Sequence, residues 1–177
     1  VRPRTSLREG WRMSEQPEIP GWTPPSAQKR KQILSSVRSI AMVGVSANPA
    51  RPSNFVATYL CSSSADFEVY FVNPTVDEIL GQPCVPSLAD LPVTPDLVDV
   101  FRKLDDVPAV AAEAVAVGAQ VLWTQFGLWS PPAAQIALAS GMELVMDHCL
   151  KIEHARFAGG LHLAGFDTGV IDSRRRR

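Results

Sequence analysis

Between residues 39 and 150 the chain carries only three fixed cations, Arg51, Arg102 and Lys103, against 12 carboxylates. Three scarce cations, each close behind a short apolar run, have the chemistry to neutralise a polyanion. The competing explanation is ordinary pairing with Asp105 or Asp106, because surface ion pairs are common and individually weak. Around Arg51 the sequence reads Gly44-Val45-Ser46-Ala47-Asn48-Pro49-Ala50-Arg51-Pro52-Ser53. Gly44 permits a tight turn and Ser46 supplies a hydroxyl. A helix opening near Ser53 offers free backbone N–H groups and the positive end of its dipole, so the segment can cradle phosphate. Gly and Ser also serve such turns for geometry alone.

Further along, Trp123-Thr124-Gln125-Phe126-Gly127 places an amide at the end of an apolar run and a glycine that lets backbone approach a ligand closely. Trp123 and Trp129 read as packing residues. Asp147-His148-Cys149 contains the residue types of a nucleophilic set, but adjacent side chains rarely face one another. Cys149 reads either as a buried thiol or as a thiol close enough to a bound thiol ligand to form a mixed disulfide, depending on its thiolate fraction. His148, Cys149 and His154 lack the spacing of a closed metal site, and no metal is expected.

These residues need elements to position them. The pattern predicts helices over 27–37, 53–62, 105–117, 131–140 and 149–157, with Gly118 closing the third. Apolar strands fall at 40–45, 67–72, 97–101, 121–124 and 144–146, with a weak candidate at Cys84-Val85. Short, wholly apolar strands alternating with helices predict a parallel sheet covered on both faces. The expected fold is a Rossmann-like, doubly wound α/β three-layer sandwich with a five-stranded, mainly parallel sheet in the order 3-2-1-4-5. Ligands in such folds sit beyond the strand C-termini where the order reverses, here between the first and fourth strands.

Residues 1–26, with five prolines and no apolar periodicity, read as a disordered or loosely docked arm, and Met13 as a candidate true start. Residues 27–158 form the expected domain. Residues 159–177 read as a Gly/Arg-rich tail that folds back in part through Leu161, Leu163 and Ile171. The formal net charge is −1. Setting aside Arg2, Arg4, Arg8, Arg12, Arg174 to Arg177 and Glu9 leaves 9 basic and 17 acidic residues, so the body is acidic. That argues against a nucleic-acid surface. No apolar run reaches the roughly 18–20 residues of a membrane span, and the Arg-rich start does not resemble a signal peptide. Cys61, Cys84 and Cys149 give no disulfide framework, which fits a reducing cytoplasm.

Two common phosphate motifs are missing. The dinucleotide fingerprint needs G-x-G-x-x-G and an acidic residue at the end of the second strand, where this chain has Val72-Asn73-Pro74. No Walker A sequence occurs.

Taken in order, Ala41-Met42-Val43-Gly44-Val45-Ser46, Arg51-Pro52-Ser53 with Val56-Ala57 and Tyr59-Leu60, Val72-Asn73-Pro74, Glu78-Ile79 with Gly81, Ser87-Leu88, Val98-Asp99-Val100-Phe101-Arg102, Gly118-Ala119, Trp123 with Gln125 and Gly127, and Met146-Asp147 with Cys149 resemble a known family. It is that of the small CoA-binding proteins related to the N-terminal domain of the succinyl-CoA synthetase α subunit, and the resemblance spans about 27–157. It implies coenzyme A in the crevice. Gly44, Ser46, Arg51 and Ser53 would hold phosphates, and Val72, Asn73 and Pro74 would border the nucleotide. Phe101, Arg102 and Lys103 would line the fourth strand's side, with Gln125 and Gly127 farther along. The family commonly has Asp-Arg-Cys where this chain has Asp147-His148-Cys149, which removes a permanent cation. None of His148, His154 and His162 matches the synthetase's phosphorylated histidine, and its second domain is missing, so the expectation is non-catalytic binding of CoA or an acyl-CoA. Two rival readings stand: an NAD(P)-binding redox sensor or oxidoreductase, and a detached synthetase subunit that needs a partner chain. A homo-oligomer is a third form of association, through the Ala-rich helices.

Overall fold

The computed structural model describes residues 16–62 and 67–158. Among these residues, five helices pack on a seven-stranded sheet. In chain order they run α1 (Ala27–Ser36), β1 (Ser39–Val43), α2 (Pro52–Ser62), β2 (Glu68–Val72), β3 (Glu78–Ile79), β4 (Gln82–Val85), β5 (Leu97–Val100), α3 (Val107–Ala116), β6 (Val121–Thr124), α4 (Pro131–Ser140), β7 (Glu143–Val145) and α5 (Leu150–Ala158). The strand order is β3-β4-β2-β1-β5-β6-β7. Every pairing is parallel except β3 with β4.

The sheet thus has seven strands rather than the five expected. At one edge, the weak Cys84-Val85 candidate becomes β4 and acquires an antiparallel partner, β3. Leu80 and Gly81 make the connecting turn, both at positive φ (53° and 75°), the conformation that a two-residue hairpin requires. At the other edge β7, expected as a strand at 144–146, pairs with β6. The stretch β4-β2-β1-β5-β6 follows the predicted order 3-2-1-4-5.

Each inner strand alternates its side chains between two cores. Ala41, Val43, Val98, Val100, Leu122 and Leu144 face α3 and α4, whose Ala111, Ala114, Ala133, Ala134 and Ala137 let helix backbone come close. Ile40, Met42, Leu97, Trp123 and Val145 face the other way, against Ile33 and Leu34 of α1, Val56 and Leu60 of α2, and Leu150 and Phe157 of α5. Local signals fix the helix ends. Ser26 Oγ accepts from Lys29 N–H at the start of α1, and Gly141 closes α4 at φ 75°. Gly118, at φ 81°, follows α3.

Of the N-terminal arm, residues 17–22 lie against the α3/α4 face. Ile19 is buried there, Trp22 meets Trp129 edge-on at 5.3 Å between ring centroids, and Trp129 Nε1 donates to the Pro17 carbonyl at 3.1 Å. The expected fold-back of Leu161, Leu163 and Ile171 lies outside the described residues.

Candidate functional site

The order of the sheet reverses between β1 and β5, and both crossovers leave a crevice at the C-terminal ends of those strands. A cavity of about 610 Å³ occupies it. Gly44, Ser46, Arg51 and Ser53 line it from the loop after β1, Phe101 and Arg102 from the end of β5, Gln125 from the end of β6, and Cys149 from the start of α5.

The loop after β1 holds itself in shape. Ser46 N–H donates to Ser53 Oγ at 3.1 Å, Asn48 N–H donates to Ser46 Oγ at 3.1 Å, and Asn54 Nδ2 donates to the Ser46 carbonyl at 2.9 Å. Gly44 is required twice over. Its φ is 85°, and an added Cβ would stand 2.5 Å from Arg102 Cδ and 2.7 Å from the Phe101 carbonyl oxygen. The missing side chain therefore lets the β5 end close on the β1 loop and brings Arg102 to the cavity. Pro52 opens α2, whose first turn holds no acidic residue, so the positive end of the helix dipole at the cavity is not offset by a carboxylate.

The cations differ in their engagement. Arg51 is exposed, and no described carboxylate pairs with it. Arg102 lies 3.2 Å from Asp106, both about half-exposed, so it lines the cavity and forms the competing ion pair at once. Such an exposed pair is worth about 0–1 kcal/mol and leaves the guanidinium open to a second anion. Lys103 precedes the 3₁₀ turn Leu104–Asp106 and does not line the cavity.

Val72, Asn73 and Pro74 also stand outside the cavity lining. The Asn73 side chain is spent internally: Nδ2 donates to the Val45 carbonyl at 2.9 Å, and Oδ1 accepts from Thr75 N–H and Oγ1 at 3.0 and 2.8 Å. Gly127 N–H donates to Asp147 Oδ1 at 2.7 Å, while its neighbours Phe126 and Leu128 line the cavity.

Asp147, His148 and Cys149 turn apart. The Asp147 carboxylate serves Gly127 and, at 2.7 Å, Gln16 Nε2. His148 Nδ1 sits 2.7 Å from the Met146 carbonyl. Cys149 is buried, and that burial pushes its thiol up, with the backbone at Ile152 pulling the other way. Among the described residues no cluster of three or more His, Cys, Asp or Glu could hold a metal, and no helix is long and apolar enough to cross a membrane.

One polar residue at the site was missed. Asp99 interrupts the apolar run of β5 and is fully buried, in register with Met42 on one side and Trp123 on the other. Gln125 Nε2 donates to its Oδ1 at 2.6 Å. Its Oδ2 has no partner. Desolvation lifts the carboxyl to about 7, with the Gln125 hydrogen bond acting in the opposite direction. A carboxylate inside an otherwise apolar strand was the signal available in the sequence.

A doubly wound domain with a cationic strand-end crevice is suited to a phosphate-bearing ligand. A family model described as a CoA binding domain matches residues 38–155, and the chain belongs to that family. It is 39% identical over 131 residues to the uncharacterized protein YneT of Bacillus subtilis, an alignment that covers 74% of this chain and 96% of that protein. A solved structure of a hypothetical protein from Pyrococcus horikoshii superimposes with a TM-score of 0.72 at 34% identity, covering 83% of this chain and all of the other. A stretch of 81 residues is 31% identical to acetate–CoA ligase [ADP-forming] II of Archaeoglobus fulgidus and covers 46% of this chain but only 12% of the ligase.

Proposed function

We propose that the chain binds coenzyme A, free or acylated, in the crevice between β1 and β5, and catalyses no reaction on it. The observation that carries this reading is the pairing of Arg51, a cation without a carboxylate partner among the described residues, with the self-braced Gly44–Ser53 loop and Arg102 around one cavity. Phosphates can take charge-assisted hydrogen bonds from both guanidinium groups and from backbone N–H at the α2 end. The family match supports CoA over other polyanions. Cys149 lines the same cavity and would meet a ligand's thiol; joining the two as a mixed disulfide releases two electrons and two protons and so needs an added oxidant, and the raised pKa of Cys149 slows the step by keeping its thiolate fraction low. Non-catalysis is supported by the separate engagement of Asp147, His148 and Cys149. All three cysteines are free, which suits a reducing cytoplasm.

The short match to one part of an acetate–CoA ligase favours a second reading, in which the domain serves a partner chain. Thermal unfolding with and without CoA, NAD and NADP tests the first. A rise in Tm with CoA alone supports it. A rise with NADP alone returns the redox alternative, and no response to any of the three favours the partner-dependent module.

A further inference from the structure

Asp99 is buried behind Gln125, the residue of the pair that lines the crevice. A carboxylate costs free energy inside an apolar strand, yet this one is completely enclosed and contacts a residue that lines the cavity. Its chemistry constrains its neighbour. An amide side chain can turn either end toward a partner, and the hydrogen-bond network decides which. Above its titration near 7 the carboxylate only accepts, so there Gln125 must point its NH₂ group inward, in keeping with the 2.6 Å Nε2 to Oδ1 bond. The carbonyl end is then left over. Among the described residues nothing donates to Gln125 Oε1, and Asp99 Oδ2 is the only buried side-chain oxygen or nitrogen without a partner. Oε1 is therefore not sealed in the protein but open to the cavity that Gln125 lines.

We propose that Asp99 sets the hydrogen-bonding polarity of the crevice: it holds the Gln125 amide nitrogen inward, leaves the carbonyl Oε1 facing the ligand, and so selects a molecule that offers an N–H donor at that point. On the CoA reading, on which this inference rests, the donor is one of the two amide N–H groups of the arm between the diphosphate and the thiol. Gln125 touches the ligand and Asp99 is a positioning residue. A ligand with an ether or carbonyl oxygen at that position would set acceptor against acceptor and leave Oε1 desolvated without a partner, the arrangement that discriminates most strongly.

The test uses calorimetric titration at pH 8, above the Asp99 titration, with CoA and two analogues in each of which one amide N–H is replaced by an ester oxygen. The unaltered protein binds one of the two analogues at least tenfold more weakly than CoA. Gln125→Met weakens CoA binding and brings CoA and that analogue to within about twofold of each other. Asp99→Val and Asp99→Leu free the amide to rotate and narrow the same ratio. Either should fold, since apolar replacement of a buried polar group is often tolerated. The ratio is the diagnostic quantity, because a purely structural role for Asp99 would lower both affinities and leave it unchanged. Equal binding of CoA and both analogues by the unaltered protein overturns the inference, as does an undiminished ratio in the Asp99 variants. If the unaltered protein binds no CoA, the CoA reading itself is refuted and the inference falls with it.

Discussion

Replacing Asp99 with Asn should stabilise this protein at pH 8 and remove much of the pH dependence of its folding. Asp99 is fully enclosed between Met42 and Trp123, and burial raises its carboxyl from 3.8 to about 7. In the unfolded chain the same group ionises near its ordinary value. Between about pH 4 and 7 the native state therefore holds a proton that the unfolded state has released. Stability falls as pH rises through that window, and the loss is complete above pH 7. At about 1.4 kcal/mol per pH unit the cost approaches about 4 kcal/mol, an upper bound because water entry or local relaxation would reduce it. Asn cannot ionise, and its side-chain oxygen can still accept from Gln125 Nε2. Urea unfolding of both proteins at pH 5 and pH 8 reads the difference. Groups with the opposite sign, such as Asp96, whose carboxyl is lowered by the Ser39 and Arg38 N–H groups, act on both proteins and cancel. As upper bounds, the variant should exceed the unaltered protein by about 2 kcal/mol at pH 5, already above the unfolded value of 3.8, and by about 4 kcal/mol at pH 8. Parallel pH profiles would refute the argument that Asp99 titrates while buried.

Three further outcomes follow from the site. Arg51→Ala should cost about 1.5–3 kcal/mol of CoA affinity, the range for hydrogen bonds to charged groups; unchanged affinity in a calorimetric titration would remove Arg51 from the site. Gly44→Ala should destabilise the fold by about 1–3 kcal/mol through its backbone conformation alone and more through the contact with the Phe101 carbonyl, so a Tm equal to that of the unaltered protein would contradict the close approach of β5. Cys149→Ser should abolish any CoA adduct formed under oxidation, as read by intact mass, while an adduct that persists would point to Cys61 or Cys84.

The doubly wound centre was legible because its strands are short, wholly apolar and separated by helix-length segments. The β3 edge was not. Val85 pairs with Val72 only because the chain doubles back through Leu80-Gly81, and a two-residue strand such as Glu78–Ile79 leaves no periodicity to read. The same limit hid Ile19, a lone apolar residue in a proline-rich stretch whose partners lie on α3, α4 and the sheet. Around the cavity, the Gly44–Ser53 loop could be read because its turn, hydroxyls and helix start are contiguous. The internal use of Asn73 and the burial of Asp99 could not, since each depends on a partner brought close by strand pairing rather than by the chain itself: Val45 across β1 and β2, and Gln125 across β5 and β6. Arg102 was legible as a cation behind a strand, but its pairing with Asp106 and its place in the cavity turned out to be compatible rather than exclusive.

The central claim, that the crevice binds CoA through its cations, is tested most directly by calorimetric titration of the protein with CoA and with dephospho-CoA. Tight, salt-sensitive binding of CoA and a clear loss of affinity on removal of the 3′-phosphate are the expected results. No heat with either ligand, at concentrations where the folded protein is intact, would contradict it.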